Sequence, residues 1–164
     1  MKTLLLIRHA KSSWDSAALS DFDRPLNERG KRDAPMMAKR LTDKKIKIDS
    51  FVSSPAKRAK KTAILFANEF GTGEEAIVYR TELYAAPKEA FYEVIESLNT
   101  NADHVAVFSH NPGITEFANS LTNAKVDDMP TCSIFAIKSD AINWNEFTGS
   151  KKEFWFFDYP KQVE

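Results

Sequence analysis

The chain has few of the features that mark secreted, membrane-bound or nucleic-acid-binding proteins. Its one cysteine, Cys132, cannot form an internal disulfide, which fits a reducing compartment. No apolar run approaches the ~20 residues needed to cross a bilayer, and the apolar stretch near the N-terminus is shorter than a signal-peptide core. Basic and acidic residues number 23 each, so a net charge of zero favours neither nucleic acid nor an anionic membrane. We therefore expect a cytoplasmic protein that binds no nucleic acid and no membrane.

The sequence also lacks the motifs of the common metal and cofactor sites. It has no HExxH pair, no paired cysteines and no cluster of carboxylates, which are the usual ligand sets for a metal ion. Neither a P-loop nor a GxGxxG dinucleotide fingerprint occurs. Ser53 and Ser54 do not lie in the GxSxG turn of the α/β-hydrolases. We therefore expect a site that uses neither a metal nor an organic cofactor.

What is present is the composition of a globular domain, with 43% hydrophobic and 28% charged residues, and we expect one domain over residues 1–164. Apolar runs typical of strands alternate with stretches of helical periodicity. The predicted strands are Thr3–Ile7, Ser50–Ser53, Ala76–Arg80, His104–Phe108, Cys132–Lys138 and Phe154–Asp158. The predicted helices are Asn27–Lys44, Ala56–Phe70, Lys88–Leu98 and Gly113–Leu121. This alternation predicts an α/β fold with a mainly parallel central sheet. Ala141–Phe147 is predicted to add a strand to a C-terminal meander, giving the sheet an antiparallel edge.

Two strands of this predicted sheet end at a histidine. One apolar run leads directly into Arg8-His9, and a later run leads through Ser109 into His110. Because open α/β sheets bind ligands at the carboxyl ends of their strands, the two histidines are expected to share one site. The alternatives are a strand end that merely exposes Arg8 and His9, and a histidine that only caps its turn. The third histidine, His104, opens the later strand at its far end and is expected to be structural.

A third segment, residues 53–63, follows another strand and opens a helix. Ser53 or Ser54 is expected to cap this helix, and Pro55 suits its first turn. Arg58 is then placed near the positive end of the helix dipole. Together with Arg8 it would form a doubly cationic pocket for a tetrahedral dianion, because guanidinium groups match phosphate geometry. The nearby lysines at 57, 60 and 61 are expected to form a solvated basic face.

These residue types predict phosphoryl transfer without a metal. A neutral imidazole can attack phosphorus and form a phosphohistidine that water later cleaves. Neighbouring guanidinium charge favours the neutral imidazole that this attack requires. A second histidine can donate a hydrogen bond to the phosphoryl oxygens as their charge changes.

Three segments of the chain resemble the signatures of the histidine phosphatase (phosphoglycerate mutase-like) superfamily, and they occur in the same order. A further segment resembles the one that follows the first motif in the small SixA-type branch, which is known for phosphohistidine phosphatases. The three signatures are Leu6-Ile7-Arg8-His9-Ala10, Ser53-Ser54-Pro55-Ala56-Lys57-Arg58-Ala59 and Ser109-His110-Asn111-Pro112-Gly113, and the further segment is Asp23-Arg24-Pro25-Leu26-Asn27-Glu28-Arg29-Gly30. The resemblance extends from Met1 to about Lys138. It implies a three-layer αβα sandwich.

The resemblance also implies roles for individual residues. His9 would be the phosphorylated nucleophile, and Arg8, Arg58 and His110 would complete the phosphate pocket. Arg24 would be a further phosphate contact, with a loop salt bridge as its alternative role.

The resemblance leaves the general acid unassigned. Many relatives place a carboxylate before the last motif, where this chain has Glu82. Asp15, Asp21 and Asp23 are alternatives on the loop after His9. An ester with an alkoxide leaving group needs a proton donor, worth about 10²- to 10⁴-fold in rate, whereas phosphohistidine has a labile P–N bond and a readily protonated leaving group.

The favoured function is therefore removal of phosphate from phosphohistidine on a signalling or phosphotransfer protein. With no room for a lid insertion, the segment 11–26 is expected to form one wall of an open site. Trp14 and Phe22 on that wall either contact a protein partner or pack onto the domain. The alternatives are a phosphatase of small phosphate monoesters and a non-catalytic phosphoprotein-binding module. The sequence assigns no oligomeric state.

Overall fold

The protein, described here from a computed structural model over residues 1–15 and 18–161, is built around a six-stranded mixed sheet. The strands are β1 (Lys2–Arg8), β2 (Ser50–Ser53), β3 (Ile77–Tyr79), β4 (His104–Ser109), β5 (Ile134–Ser139) and β6 (Lys152–Asp158). The helices are α1 (Glu28–Asp43), α2 (Lys57–Glu69), α3 (Lys88–Glu96) and α4 (Gly113–Leu121). Within the described residues, no helix has the length and apolar character that a membrane span requires.

The strand order, β3-β2-β4-β1-β5-β6, places the first strand deep inside the sheet. Strands β1 to β4 are mutually parallel, and β5 and β6 run antiparallel to their neighbours. Arg8 lies opposite Ser109 in the β1–β4 register, so the residues that follow these two strands emerge side by side. The predicted parallel sheet with an antiparallel edge is confirmed.

Helices cover both faces of the sheet. Leu5 and Ile7 of β1 belong to a core shared with α1 and α2, whereas Leu4 and Leu6 belong to a core shared with α3 and α4. Alternate residues of one strand therefore face opposite helical layers, which explains why β1 is apolar throughout. The three-layer αβα arrangement is thus confirmed.

Two local predictions were wrong. Ala141–Phe147 does not form a strand but contains a short 3₁₀ turn, Trp144–Glu146, stabilised by a capping box between Asn143 and Glu146. The spacing of three places Trp144 and Phe147 in the same core, where both are buried. Neither predicted serine side chain caps α2, because the helix begins after Ala56.

Gly113, the first residue of α4, allows a close backbone approach. A Cβ atom at this position would lie 1.9 Å from the carbonyl oxygen of Ala86. We expect Gly113→Ala to lower the free energy of unfolding by about 1–3 kcal/mol, because the backbones must separate. Urea unfolding measures this change. Gly149→Ala is the matched control, since no atom lies within 4 Å of its added Cβ, and equal losses in both variants would contradict the expectation.

Candidate active site

A cavity of about 660 Å³ opens at the carboxyl ends of β1, β2 and β4. These three strands are adjacent in the sheet, so the segments that follow them converge on one crevice, as is usual for open α/β sheets. The cavity wall contains five of the six predicted site residues, namely Arg8, His9, Arg24, Arg58 and His110.

His9 follows the last residue of β1 and is 6% exposed. Its Nδ1 lies 2.7 Å from the carbonyl oxygen of Ala10. Because a carbonyl oxygen only accepts hydrogen bonds, Nδ1 carries the proton and Nε2 holds the lone pair. The Nε of Arg58 donates to that Nε2 over 3.4 Å. The unprotonated ring nitrogen of His9 therefore lies beside a guanidinium group.

Arg58 lies in the first turn of α2 and is 5% exposed. Its Nη1 donates to the Asp21 carbonyl oxygen over 2.7 Å, and its Nη2 to the Asp21 carboxylate over 3.1 Å. Asp21 also accepts hydrogen bonds from the Tyr84 hydroxyl and from Nε of Arg24. One carboxylate thus holds two arginines of the cavity wall in place.

His110 faces His9 across the cavity, with ring centroids 5.2 Å apart. Its Nε2 lies 2.8 Å from the Ser54 hydroxyl, which also accepts a hydrogen bond from the Ala56 amide. The serine hydroxyl can donate its proton to Nε2, and in that tautomer the histidine proton lies on Nδ1. Nδ1 is buried and has no hydrogen-bond partner within the described residues, so it is the ring nitrogen available to a bound anion.

Arg8 ends β1 and is anchored from the other side of the cavity. Its Nη1 donates to the Met129 carbonyl oxygen over 2.8 Å. Its Nε is buried and, within residues 1–15 and 18–161, has no hydrogen-bond partner. Buried polar groups are normally paired, so two such donors in one cavity wall, Arg8 Nε and His110 Nδ1, favour an anionic ligand.

Burial controls the protonation of both histidines. It lowers the pKa of His9 well below its usual value of 6.5, and the positive charges of Arg58 and Arg8 act in the same direction. Burial, followed by the charge of Arg58, lowers the pKa of His110 to about 3. Both rings are therefore neutral at pH 7, and the neutral form of His9 is the nucleophilic one.

We expect neither ring to titrate as the pH falls from 8 to about 6, because each lowered pKa places proton uptake below the normal range for histidine. Long-range ¹H–¹⁵N NMR of the free protein measures this directly. His9 should show a protonated Nδ1 and an unprotonated Nε2 throughout. Midpoints near pH 6.5 for His9 would contradict the assigned environment.

Arg24 and Trp14 both line the cavity. Nη1 of Arg24 donates to the Ser12 hydroxyl over 2.7 Å, and its guanidinium carbon lies 3.5 Å above the Trp14 ring. Trp14 remains 74% exposed. Phe22 is 38% exposed and contacts Tyr84 edge to face. Both aromatic residues therefore combine local packing with exposed surface.

The structure does not bring Glu82 to the cavity. Its carboxylate accepts hydrogen bonds from Arg80 over 2.7 and 3.3 Å and lies on the exposed surface. Asp21 is close to the histidines, but the hydrogen bond from Tyr84, with further help from Arg58, lowers the pKa of its carboxyl to about 2. Asp21 is therefore ionised at neutral pH and holds no proton to donate.

The other two candidate acids, Asp15 and Asp23, are exposed and do not line the cavity. Two residues that do line it, Tyr84 and Glu116, were not identified from the sequence. Glu116 lies in the first turn of α4, three residues after Gly113. This spacing from the last residue of the third motif is the sequence signal that could have identified Glu116.

No group of three or more His, Cys, Asp or Glu side chains in the described part of the chain is arranged to hold a metal ion.

Sequence comparison relates this chain to the histidine phosphatase superfamily. The profile of the histidine phosphatase superfamily (branch 1) matches residues 4–85, half of the chain. A protein of Mycobacterium tuberculosis is 31% identical over 113 residues, which cover 68% of this chain and 67% of the mycobacterial one. A chloroplastic protein of Arabidopsis thaliana is 28% identical over 153 residues, covering 88% of this chain and 70% of the plant protein.

Solved structures share the fold over nearly the whole length. SixA from Agrobacterium tumefaciens superposes with a TM-score of 0.81 at 27% identity, covering 97% of this chain and 98% of that one. The protein histidine phosphatase SixA complexed with tungstate has a TM-score of 0.80 at 22% identity, covering 96% and 97%. The predicted phosphoglycerate mutase-like fold is confirmed. From its sequence and its fold, the chain belongs to the histidine phosphatase superfamily.

Proposed function

We propose that this protein is a metal-free phosphohistidine phosphatase in which His9 is the nucleophile. The observation that carries the proposal is the orientation of His9, whose Nδ1 proton is bound to Ala10 and whose Nε2 lone pair lies beside Arg58. A dianionic phosphoryl group placed among Arg8, Arg58 and His110 would present its phosphorus to this nitrogen. Cationic and hydrogen-bonding groups that are already in place are the main requirement for phosphoryl transfer.

The reaction would proceed in two steps. In the first, Nε2 of His9 bonds to phosphorus while the bond from phosphorus to the substrate imidazole breaks, and that imidazole leaves with a proton acquired beforehand. The positive charge that develops on His9 is stabilised by the Ala10 carbonyl oxygen. In the second, water attacks phosphorus, the P–N bond to His9 breaks, and dihydrogen phosphate leaves with the oxygen and both hydrogens of the water.

None of the four general acids predicted from the sequence can act in the cavity, which supports phosphohistidine as the substrate. Asp21 is ionised and Glu82 lies outside the cavity, so neither can protonate an alkoxide. An imidazole leaving group needs no such donor. The SixA structure that contains tungstate, a tetrahedral dianion like phosphate, lends further support, and a phosphorylated protein fits the open wall at Trp14.

Glu116 favours a second candidate function, hydrolysis of small phosphate monoesters. This residue lines the cavity, and its carboxyl group could protonate an alkoxide leaving group. The two functions make opposite predictions for Glu116→Gln. Monoester hydrolysis would fall about 10²-fold or more without its acid, whereas phosphohistidine hydrolysis would remain within a few-fold of the wild-type rate.

The deciding experiment measures phosphate release with EDTA present, from a phosphohistidine-bearing protein and from glycerol phosphate, a monoester whose alkoxide leaving group needs a proton donor. We expect wild-type protein and Glu116→Gln to hydrolyse phosphohistidine at similar kcat/KM values. Faster turnover of the monoester, lost in Glu116→Gln, would establish the second function instead. Loss of phosphohistidine hydrolysis on adding EDTA would overturn the metal-free mechanism.

A further inference from the structure

A second cavity, of about 650 Å³, lies on the opposite side of the loop that carries Asp21. Its apolar surface comes from the same loop, from Pro55 and from α2, and its remaining surface is basic. We call it the lysine groove, and it is lined by Phe22, Pro25, Leu26 and Ile64 together with four lysines, Lys31, Lys57, Lys60 and Lys61. Lys31 belongs to α1, and the other three lysines belong to α2.

Positive charge is concentrated in this groove although the whole chain has zero net charge. Its four lysines face one acidic lining residue, Asp23. Lys60 pairs with Glu74 over 3.3 Å and Lys31 with Glu28 over 3.4 Å, but Lys57 and Lys61 make no salt bridge within the described residues. The N-terminal end of α2 adds the positive end of a helix dipole. The groove is therefore suited to an anionic partner.

The lysine groove adjoins the active site through two pairs of consecutive residues. In α2, Arg58 lines the active-site cavity and Lys57 lines the groove. In the preceding loop, Asp21 lines the cavity and Phe22 lines the groove. A substrate chain whose phosphorylated residue lies beside His9 would therefore reach the lysines of the groove by crossing the loop that carries Asp21 and Phe22.

We propose that the lysine groove docks an acidic segment of the phosphoprotein substrate, next to the residue that is dephosphorylated. This inference rests on the proposed function. Charge complementarity supplies the attraction and the orientation, and the apolar surface accepts aliphatic side chains between the acidic ones. An acidic peptide fits better than a nucleic acid, because binding of a single strand uses several aromatic side chains that stack on bases. Among the described residues, Phe22 alone offers such a side chain in the groove.

Binding of a fluorescein-labelled peptide of alternating glutamate and leucine tests the groove without depending on catalysis. Excess tungstate fills the active-site arginines during the measurement. We expect Lys31→Glu/Lys61→Glu to weaken binding about tenfold or more, and added salt to weaken wild-type binding. Lys47→Glu/Lys151→Glu is the matched control, since both of these lysines are exposed and lie outside the groove.

The same variants are then compared on a phosphohistidine peptide with an acidic flank and on p-nitrophenyl phosphate. We expect kcat/KM to fall about tenfold for the acidic peptide and to stay unchanged for the small ester. If the groove variant and the control variant lost equal amounts of peptide binding and kcat/KM, the docking site would be overturned. Tighter binding of an oligonucleotide than of the peptide in the groove would overturn it as well. Normal peptide binding without any phosphohistidine hydrolysis would refute the proposed function and leave the groove supported.

Discussion

Replacing His9 with alanine is expected to abolish phosphate release from a phosphohistidine protein, with kcat falling on the order of 10⁴-fold or more. No other histidine in the described residues places a ring lone pair beside Arg58, because His110 directs its Nε2 to Ser54. Release of inorganic phosphate at saturating substrate measures the loss. His104→Ala is the matched control, since His104 lies at the opposite end of β4 and contacts Thr3.

The same variant separates an enzyme from a phosphoprotein-binding module. His9→Ala retains Arg8 and Arg58, so its affinity for tungstate should stay within about tenfold of wild type. The wild-type enzyme, quenched in alkali during turnover, should carry phosphate on His9 that mass spectrometry detects. Full activity of His9→Ala would show that His9 is not the nucleophile. If neither protein released phosphate but both bound tungstate, the result would support a phosphoprotein-binding module.

Removing Arg58 should have the second-largest effect, with kcat/KM falling about 10²- to 10⁴-fold in Arg58→Ala. Two consequences combine in this variant. The pocket loses one of its cations, and His9 loses the guanidinium that contacts its Nε2 over 3.4 Å. Steady-state hydrolysis of phosphohistidine protein, together with tungstate affinity, measures both effects.

Arg58→Lys should recover only part of the activity, because an ammonium group cannot contact Asp21 and the phosphate together as the planar guanidinium can. Arg32→Ala is the control, since this arginine is exposed on α1 and lies outside both cavities. An unchanged kcat/KM in Arg58→Ala would show that the phosphate pocket is assigned to the wrong side chains.

Local sequence patterns predicted most of the secondary structure. The apolar run before Arg8 predicted β1, and Ser50–Ser53 and Gly113–Leu121 have the predicted bounds. Periodicity predicts these elements correctly because the buried positions of a helix or a strand recur at the spacing of that element. The prediction of a strand over Ala141–Phe147 was wrong because its apolar residues also suit a turn in which two residues three apart, Trp144 and Phe147, are both buried.

The sequence by itself determined which residue types meet in the active site. Its three motifs follow strands whose carboxyl ends share one edge of a parallel sheet, and that topology brings Arg8, His9 and His110 together. Only the tertiary structure decided which carboxylates face them. Asp21 and Glu116 do so and Glu82 does not, because loop paths and helix orientation are set by packing between distant segments. The lysine groove was decided in the same way, since its walls come from α1, α2 and a loop that become neighbours only in the folded chain.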